Sequence, residues 1–325
     1  MRLTINPEQD YWPTWTADGH GILYSFIAQV PGSEHRCLGI LPAAGGTRVW
    51  EFCDNRAAES DSLNSFAAYA LDNAGQLLYA ESESLDSPQR LNPGSFTLWL
   101  ADTANPLQRR ALLTLPMPLG GVSMAWLADI AWTGPAEFTA LAQTFDGAVH
   151  CKGCVIFDSL FGGIGVVRGT IGPSGATLAL IAGTEGASGY SSAESGSSIV
   201  FTKPGNPGLF KVPAGGGTAI TVTQVGAGAE LLGVSCVGST CVVATDPIAD
   251  VAFIGTAGNP ATLRAVSLAT GASQIVFSDP LAVVATPEIS PAGHDVVAQR
   301  GGVFGHLRTV SSQLSDLHLF PGLLP

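Results

Sequence analysis

One pattern recurs six times along the 325 residues: a strand, a tight turn about three residues on, and a second apolar strand. It first reads Thr14-Trp15-Thr16-Ala17-Asp18-Gly19 before the apolar run 22–26. It returns as Leu71-Asp72-Asn73-Ala74-Gly75 before 77–80 and as Trp132-Thr133-Gly134-Pro135-Ala136 before 138–142. The later passes begin at Ser192, Val234 and Ile289, so successive anchors lie 42 to 61 residues apart and consume the whole chain. The second half of each pass reads as a hairpin, at 38–50, 96–113, 166–181, 209–222, 263–276 and 307–319.

Four short strands per unit, repeated six times, bury their faces only against neighbouring units. The expected fold is all-β, a six-bladed β-propeller with four antiparallel strands per blade. Residues 1–325 then make one domain, with blades at about 8–53, 66–116, 128–183, 188–224, 230–279 and 285–325 and a closing strand at 1–6. The ring is expected to close by pairing of the N- and C-terminal segments. Residues 2–5 and 316–320 compete for the outer place in blade six, and the N-terminal segment is preferred there.

The strings Pro-Thr-Trp-Thr-Ala-Asp-Gly at 13–19 and Thr-Pro-Glu-Ile-Ser-Pro-Ala-Gly at 286–293 resemble the repeat of TolB-type propellers. The Gly-Leu-Phe-Lys-Val-Pro-Ala-Gly-Gly-Gly run at 208–217 is similar to the outer hairpin of that repeat. The resemblance implies a six-bladed, WD40-like bacterial propeller. Such repeats occur in interaction proteins and beside hydrolase domains alike, so it speaks to fold more than to function.

The six cysteines fall into three local pairs: Cys37/Cys53, Cys151/Cys154 and Cys236/Cys241. The first hairpin turns near Gly45, which sets Cys37 opposite Cys53, and the turn 237–240 sets Cys236 opposite Cys241. Opposed residues bring their Cβ atoms within disulfide range. Disulfides point to the periplasm, the cell surface or secretion. Residues 1–10 contain no apolar leader, so an export signal or lipobox is expected upstream of Met1. The Cys151/Cys154 pair is read as a loop-stiffening disulfide, with metal binding alongside His150 and redox activity as the alternatives.

The net charge of −12 disfavours nucleic acid and anionic membrane surfaces as partners. Mean hydropathy is +0.30, but no apolar run is long enough for a transmembrane helix. No nucleophile elbow, phosphate loop, dinucleotide fingerprint or metal-binding helix motif occurs, so no catalytic residue, cofactor or metal is expected. Asp10, Asp61, Asp129 and Glu230 lie near inner-strand starts and are the candidates if paired carboxylates act on a glycan. The acidic stretch 54–62 reads as a solvated linker, with calcium binding as its rival.

The links between blades and the loops between second and third strands share one face, which gathers the long loops 82–95, 117–128 and 144–163. Trp126, Phe145 and Phe161 on these segments are candidate anchors for a partner, set against plain packing between blades. The function expected is a non-catalytic interaction or scaffolding module that binds another protein of the cell envelope. The alternative is a carbohydrate-binding or glycan-active propeller that uses its channel mouth.

Overall fold

Short runs of Val, Ile, Leu, Phe and Tyr bounded by glycine turns form strands that pair antiparallel with their sequence neighbours. The structure, a computed structural model, describes residues 1–4, 10–30, 33–53, 65–84, 93–145, 161–225, 229–247, 261–279, 282–302 and 315–324. The first sheet runs β1 (Asp10–Trp15), β2 (Gly21–Val30), β3 (Ser33–Pro42) and β4 (Trp50–Cys53). The second runs β5 (Ser65–Leu71), β6 (Gln76–Ser84), β7 (Pro93–Asp102) and β8 (Asn105–Leu115). A separate two-stranded hairpin follows, β9 (Met117–Leu119) and β10 (Val122–Met124).

The third sheet is β11 (Trp126–Gly134), β12 (Glu137–Phe145), β13 (Phe161–Gly172) and β14 (Gly175–Leu180). The fourth is β15 (Gly189–Ala193), β16 (Ser198–Lys203), β17 (Asn206–Pro213) and β18 (Ile220–Gln224). The fifth is β19 (Ala229–Val237), β20 (Thr240–Pro247), β21 (Ala261–Ser267) and β22 (Ser273–Asp279). The sixth is β23 (Ala282–Ile289), β24 (Val296–Gly302) and β25 (Ser315–Phe320). These sheets are the blades of a six-bladed β-propeller.

Residues 1–4 complete the sixth blade along the free edge of β25. Arg2 bridges His318, Leu3 N donates to Leu317 O at 2.8 Å, and Leu319 N donates to Met1 O at 2.7 Å. The terminal segments therefore do not compete for one place, as the sequence suggested. β25 is the third strand, paired with β24, and residues 1–4 are the fourth. The expected hairpin at 307–319 lies outside the described residues up to 314.

In all six blades the anchor pairs with the strand after the turn: Trp15↔Ile22, Leu71↔Leu77, Trp132↔Phe138, Ser192↔Ile199, Val234↔Val243 and Ile289↔Val296. In blade five the pairing runs on past the anchor to Cys236↔Cys241 and Val237↔Thr240, because the turn there is shorter. Polar side chains fix these turns. Asp18 Oδ1 accepts from Thr16 Oγ1 at 2.6 Å and from His20 N at 2.9 Å, which holds its carboxyl below the usual range. Asp72 Oδ1 accepts from the Ala74 and Gln76 amides at 2.8 and 2.7 Å.

The chain forms two compact units. One contains Met1–Ile27, Leu38–Glu51 and Gly189–Pro325; the other contains Ala28–Cys37 and Phe52–Ser188. In the first unit, Val200, Leu209, Val243 and Val266 fill one core, and Val242, Leu263, Val296 and Leu324 fill another. In the second, Leu78, Phe96, Leu98, Leu127, Phe138 and Val167 form the main core. Gly169 is required there, because a Cβ would sit 2.1 Å from the Phe138 ring.

Candidate functional site

The inner strands depart from regular pleating in the same place in several blades. Register shifts fall at Tyr11/Thr14, Ala128/Ala131 and Ala285/Glu288, and each contains a non-glycine residue with positive φ: Trp12 at 46°, Asp129 at 47° and Thr286 at 47°. Each stands three residues before its anchor. A left-handed conformation costs an L-residue roughly 1–3 kcal/mol, so these bulges hold strain. Blade five also shifts register on its inner strand, between Leu231 and Gly233, with Gly233 at φ 152°. A Cβ there would lie 3.1 Å from Pro287 Cδ and 3.4 Å from Thr286 Cα, on the adjoining inner strand.

Asp129 is the chemically distinctive member of the set. It is solvent-exposed, yet protein atoms crowd its carboxyl closely enough that lost hydration pushes its pKa up to about 6. Of the other carboxylates, Asp10 is fully buried on β1 opposite Phe26, and Glu230 pairs in backbone register with Asp246 between β19 and β20. Asp61 and the stretch 54–62 lie outside the described residues.

Trp126 opens β11 and is half-buried, its ring centroid 4.6 Å from that of Phe96, so it packs between strands of the second unit. Phe145 ends β12 directly across from Phe161 at the start of β13. The two therefore stand together at the base of segment 146–160, which lies outside the described residues together with Cys151 and Cys154.

Segment 117–128 was expected as a loop. Its first part is instead the β9–β10 hairpin, in register Leu119↔Val122 and Met117↔Met124. Gly120 and Gly121 both have positive φ, 58° and 84°, as a two-residue hairpin turn requires. Leu119 and Met124 sink into the core of the second unit, while Val122 remains 44% exposed at the tip. The hairpin belongs to none of the six sheets.

Cys37–Cys53 and Cys236–Cys241 are disulfides with Cα separations of 4.3 and 4.0 Å, joined across neighbouring strands as the hairpin geometry predicted. Among the described residues, no group of three His, Cys, Asp or Glu side chains could hold a metal ion. His20 and His294 are exposed on the turns of blades one and six; His150 and His306 lie outside the described residues.

Sequence reasoning did not anticipate a buried ion pair in blade two. Arg109 Nη1 donates to Glu81 Oε2 at 2.8 Å and to the Tyr79 hydroxyl at 2.7 Å, and its guanidinium lies 4.0 Å from the centre of the Trp99 ring. The two charged side chains are 6% and 5% exposed. The signal was a carboxylate and a tyrosine two residues apart on one strand face, with an arginine two strands away.

No family model matches the sequence, and no curated protein matches it. Among solved structures, a protein described as TolB from Agrobacterium tumefaciens superposes with a TM-score of 0.54 at 15% identity, covering 98% of this chain and 93% of that one. The fold is that of a TolB-type propeller. A gluconolactonase from Xanthomonas campestris gives 0.53 at 13% identity, covering 98% and 88% of the two chains. An oligogalacturonate lyase from Vibrio parahaemolyticus gives 0.51 at 12%, covering 98% and 92%. At such identities the likeness concerns the fold alone, and TolB-type propeller architecture is common to a protein named TolB and to two enzymes. No helix among the described residues is long and apolar enough to cross a membrane.

Proposed function

We propose that the chain is a non-catalytic, extracytoplasmic interaction module, a single propeller domain over residues 1–325 that docks another protein of the cell envelope. The observation that carries this reading is the β9–β10 hairpin. It stands outside every blade, is anchored by two buried side chains, and presents Gly120, Gly121 and Val122 to solvent. A ribbon that completes no sheet, is held by buried side chains and turns its tip to solvent suits contact with a partner. The two disulfides support export to an oxidising compartment. A Val122→Asp variant should keep its melting temperature, since the site is exposed, and lose at least tenfold in partner binding. Unchanged binding overturns the reading.

A second reading is favoured by Asp129. A carboxyl with a pKa of about 6 suits proton transfer near neutral pH, as glycan cleavage needs. An Asp129→Asn variant that loses activity on a polysaccharide panel supports it, and a wild-type protein inert on that panel removes it.

A further inference from the structure

The seam that completes blade six sets one imidazole among four charged side chains. His318 lies on β25, opposite Ala298 of β24 on one side and bridged to Arg2 on the other. Asp316 and Phe320, two residues away in each direction, share its face of the strand. Arg2 Nη2 contacts Asp316 Oδ1 at 2.7 Å. Arg300, directly across from Asp316, reaches Asp279 of β22 at 2.6 Å. Each arginine thus has its own carboxylate, and His318 is the group whose protonation adds uncompensated charge.

We propose that the seam between residues 1–4 and β25 is an acid-sensitive latch, in which protonation of His318 between Arg2 and Arg300 loosens the terminal strand. The strand is short. It is held by the Leu3–Leu317 and Leu319–Met1 backbone bonds, by the Leu317 amide donating to Thr4 Oγ1 at 3.1 Å, and by burial of Leu3 and Thr4 at 6% and 4% exposure. The inference goes beyond partner docking and does not depend on it.

Charge and burial act on the imidazole together. Loss of water and the Arg300 charge lower its pKa to about 4; Asp316 opposes them, and Arg2 reinforces them. When the strand lifts, the imidazole regains water on that side and leaves Arg2, so its pKa moves up toward the ordinary 6.5 while Arg300 stays beside it on β24. The opened form then binds the proton more tightly. Opening therefore increases as pH falls through 6.5 and levels off below about 4. The side chain is only half-buried and water screens its neighbours, so the gain in opening is about ten- to hundredfold, short of the full shift.

Amide hydrogen exchange of the whole protein between pH 7 and pH 4.5, corrected for intrinsic rates, tests this. Protection at Leu3 and Leu319 should fall about ten- to hundredfold in the wild type while β16 amides hold, and should stay nearly flat in His318→Gln. An equal fall in both proteins, or none in the wild type, overturns the proposal. Should the variant fail to fold, NMR titration of the wild-type imidazole decides. A midpoint near 4 supports the latch, and one near 6.5 removes it.

Discussion

The indole N–H of Trp15 donates to the backbone carbonyl of Glu288 at 3.0 Å, tying the anchor of blade one to the inner strand of blade six. Trp132 repeats the device, donating to Ala70 O at 3.2 Å between blades three and two. In blades four and five a serine next to the anchor makes the link instead. Ser191 Oγ accepts from Cys236 N at 2.9 Å, and Ser235 Oγ accepts from Ile289 N at 3.0 Å. The half-buried tryptophan of the repeat is thus a fastener between blades.

Replacing Trp15 or Trp132 with Phe keeps most of the ring and removes the donor. Each change should cost about 0.5–1.5 kcal/mol, the net worth of one hydrogen bond, and each Ala variant about 3–5 kcal/mol. Urea denaturation of the four variants measures the difference.

The Glu81–Arg109 pair should be asymmetric. Glu81→Ala leaves a buried guanidinium uncompensated and should cost about 3–5 kcal/mol, whereas the double variant Glu81→Leu with Arg109→Leu should lose much less. A double-mutant cycle by chemical denaturation reports the coupling.

Gly271 lies against the outer strand of blade four, where an added Cβ would fall 2.6 Å from Val222 O at φ +70°. Gly205 also has positive φ, +63°, but nothing within 4 Å of that position. Gly205→Ala should cost about 1 kcal/mol from backbone strain alone, and Gly271→Ala measurably more because of the clash. Melting temperatures of the two variants separate these contributions.

Asp129 predicts a pH dependence of known sign. Its folded pKa of about 6 lies above the ordinary 3.8, so the native state binds the proton more tightly. Stability from this group is therefore full below about pH 3.8 and is lost as pH rises through 6. Asp129→Asn should gain stability relative to wild type at pH 7 compared with pH 3.5. Melting curves at the two pH values give the sign.

The disulfides should contribute unequally. Chain entropy assigns about 3 kcal/mol to closure of the 16-residue Cys37–Cys53 span and about 2 kcal/mol to the 5-residue Cys236–Cys241 span. Paired Cys→Ser variants, denatured without reductant, should rank in that order.

The sequence made the blades legible because their turns are local chemistry. Asp18, Asp72 and the glycines that follow mark where strands reverse, and opposed cysteines follow from turn position. What it hid depends on partners distant in the chain. Residues 1–4 and 315–320 take adjacent places only because β24 leaves one edge for β25 and β25 leaves another. The bulge at Trp12 was hidden for a different reason: a residue before proline is biased toward extended backbone, so Pro13 argued against the φ that occurs. The β9–β10 hairpin went unrecognised because three-residue strands around Gly120-Gly121 carry almost no periodicity.

Docking through that hairpin is the central claim, and site-specific photocross-linking in the native cell envelope tests it most directly. A photoreactive residue at Val122 should give a discrete adduct, while the still more exposed outer-strand positions Leu107 and Ile220 should not. No adduct at Val122, or equal adducts at all three positions, contradicts the account.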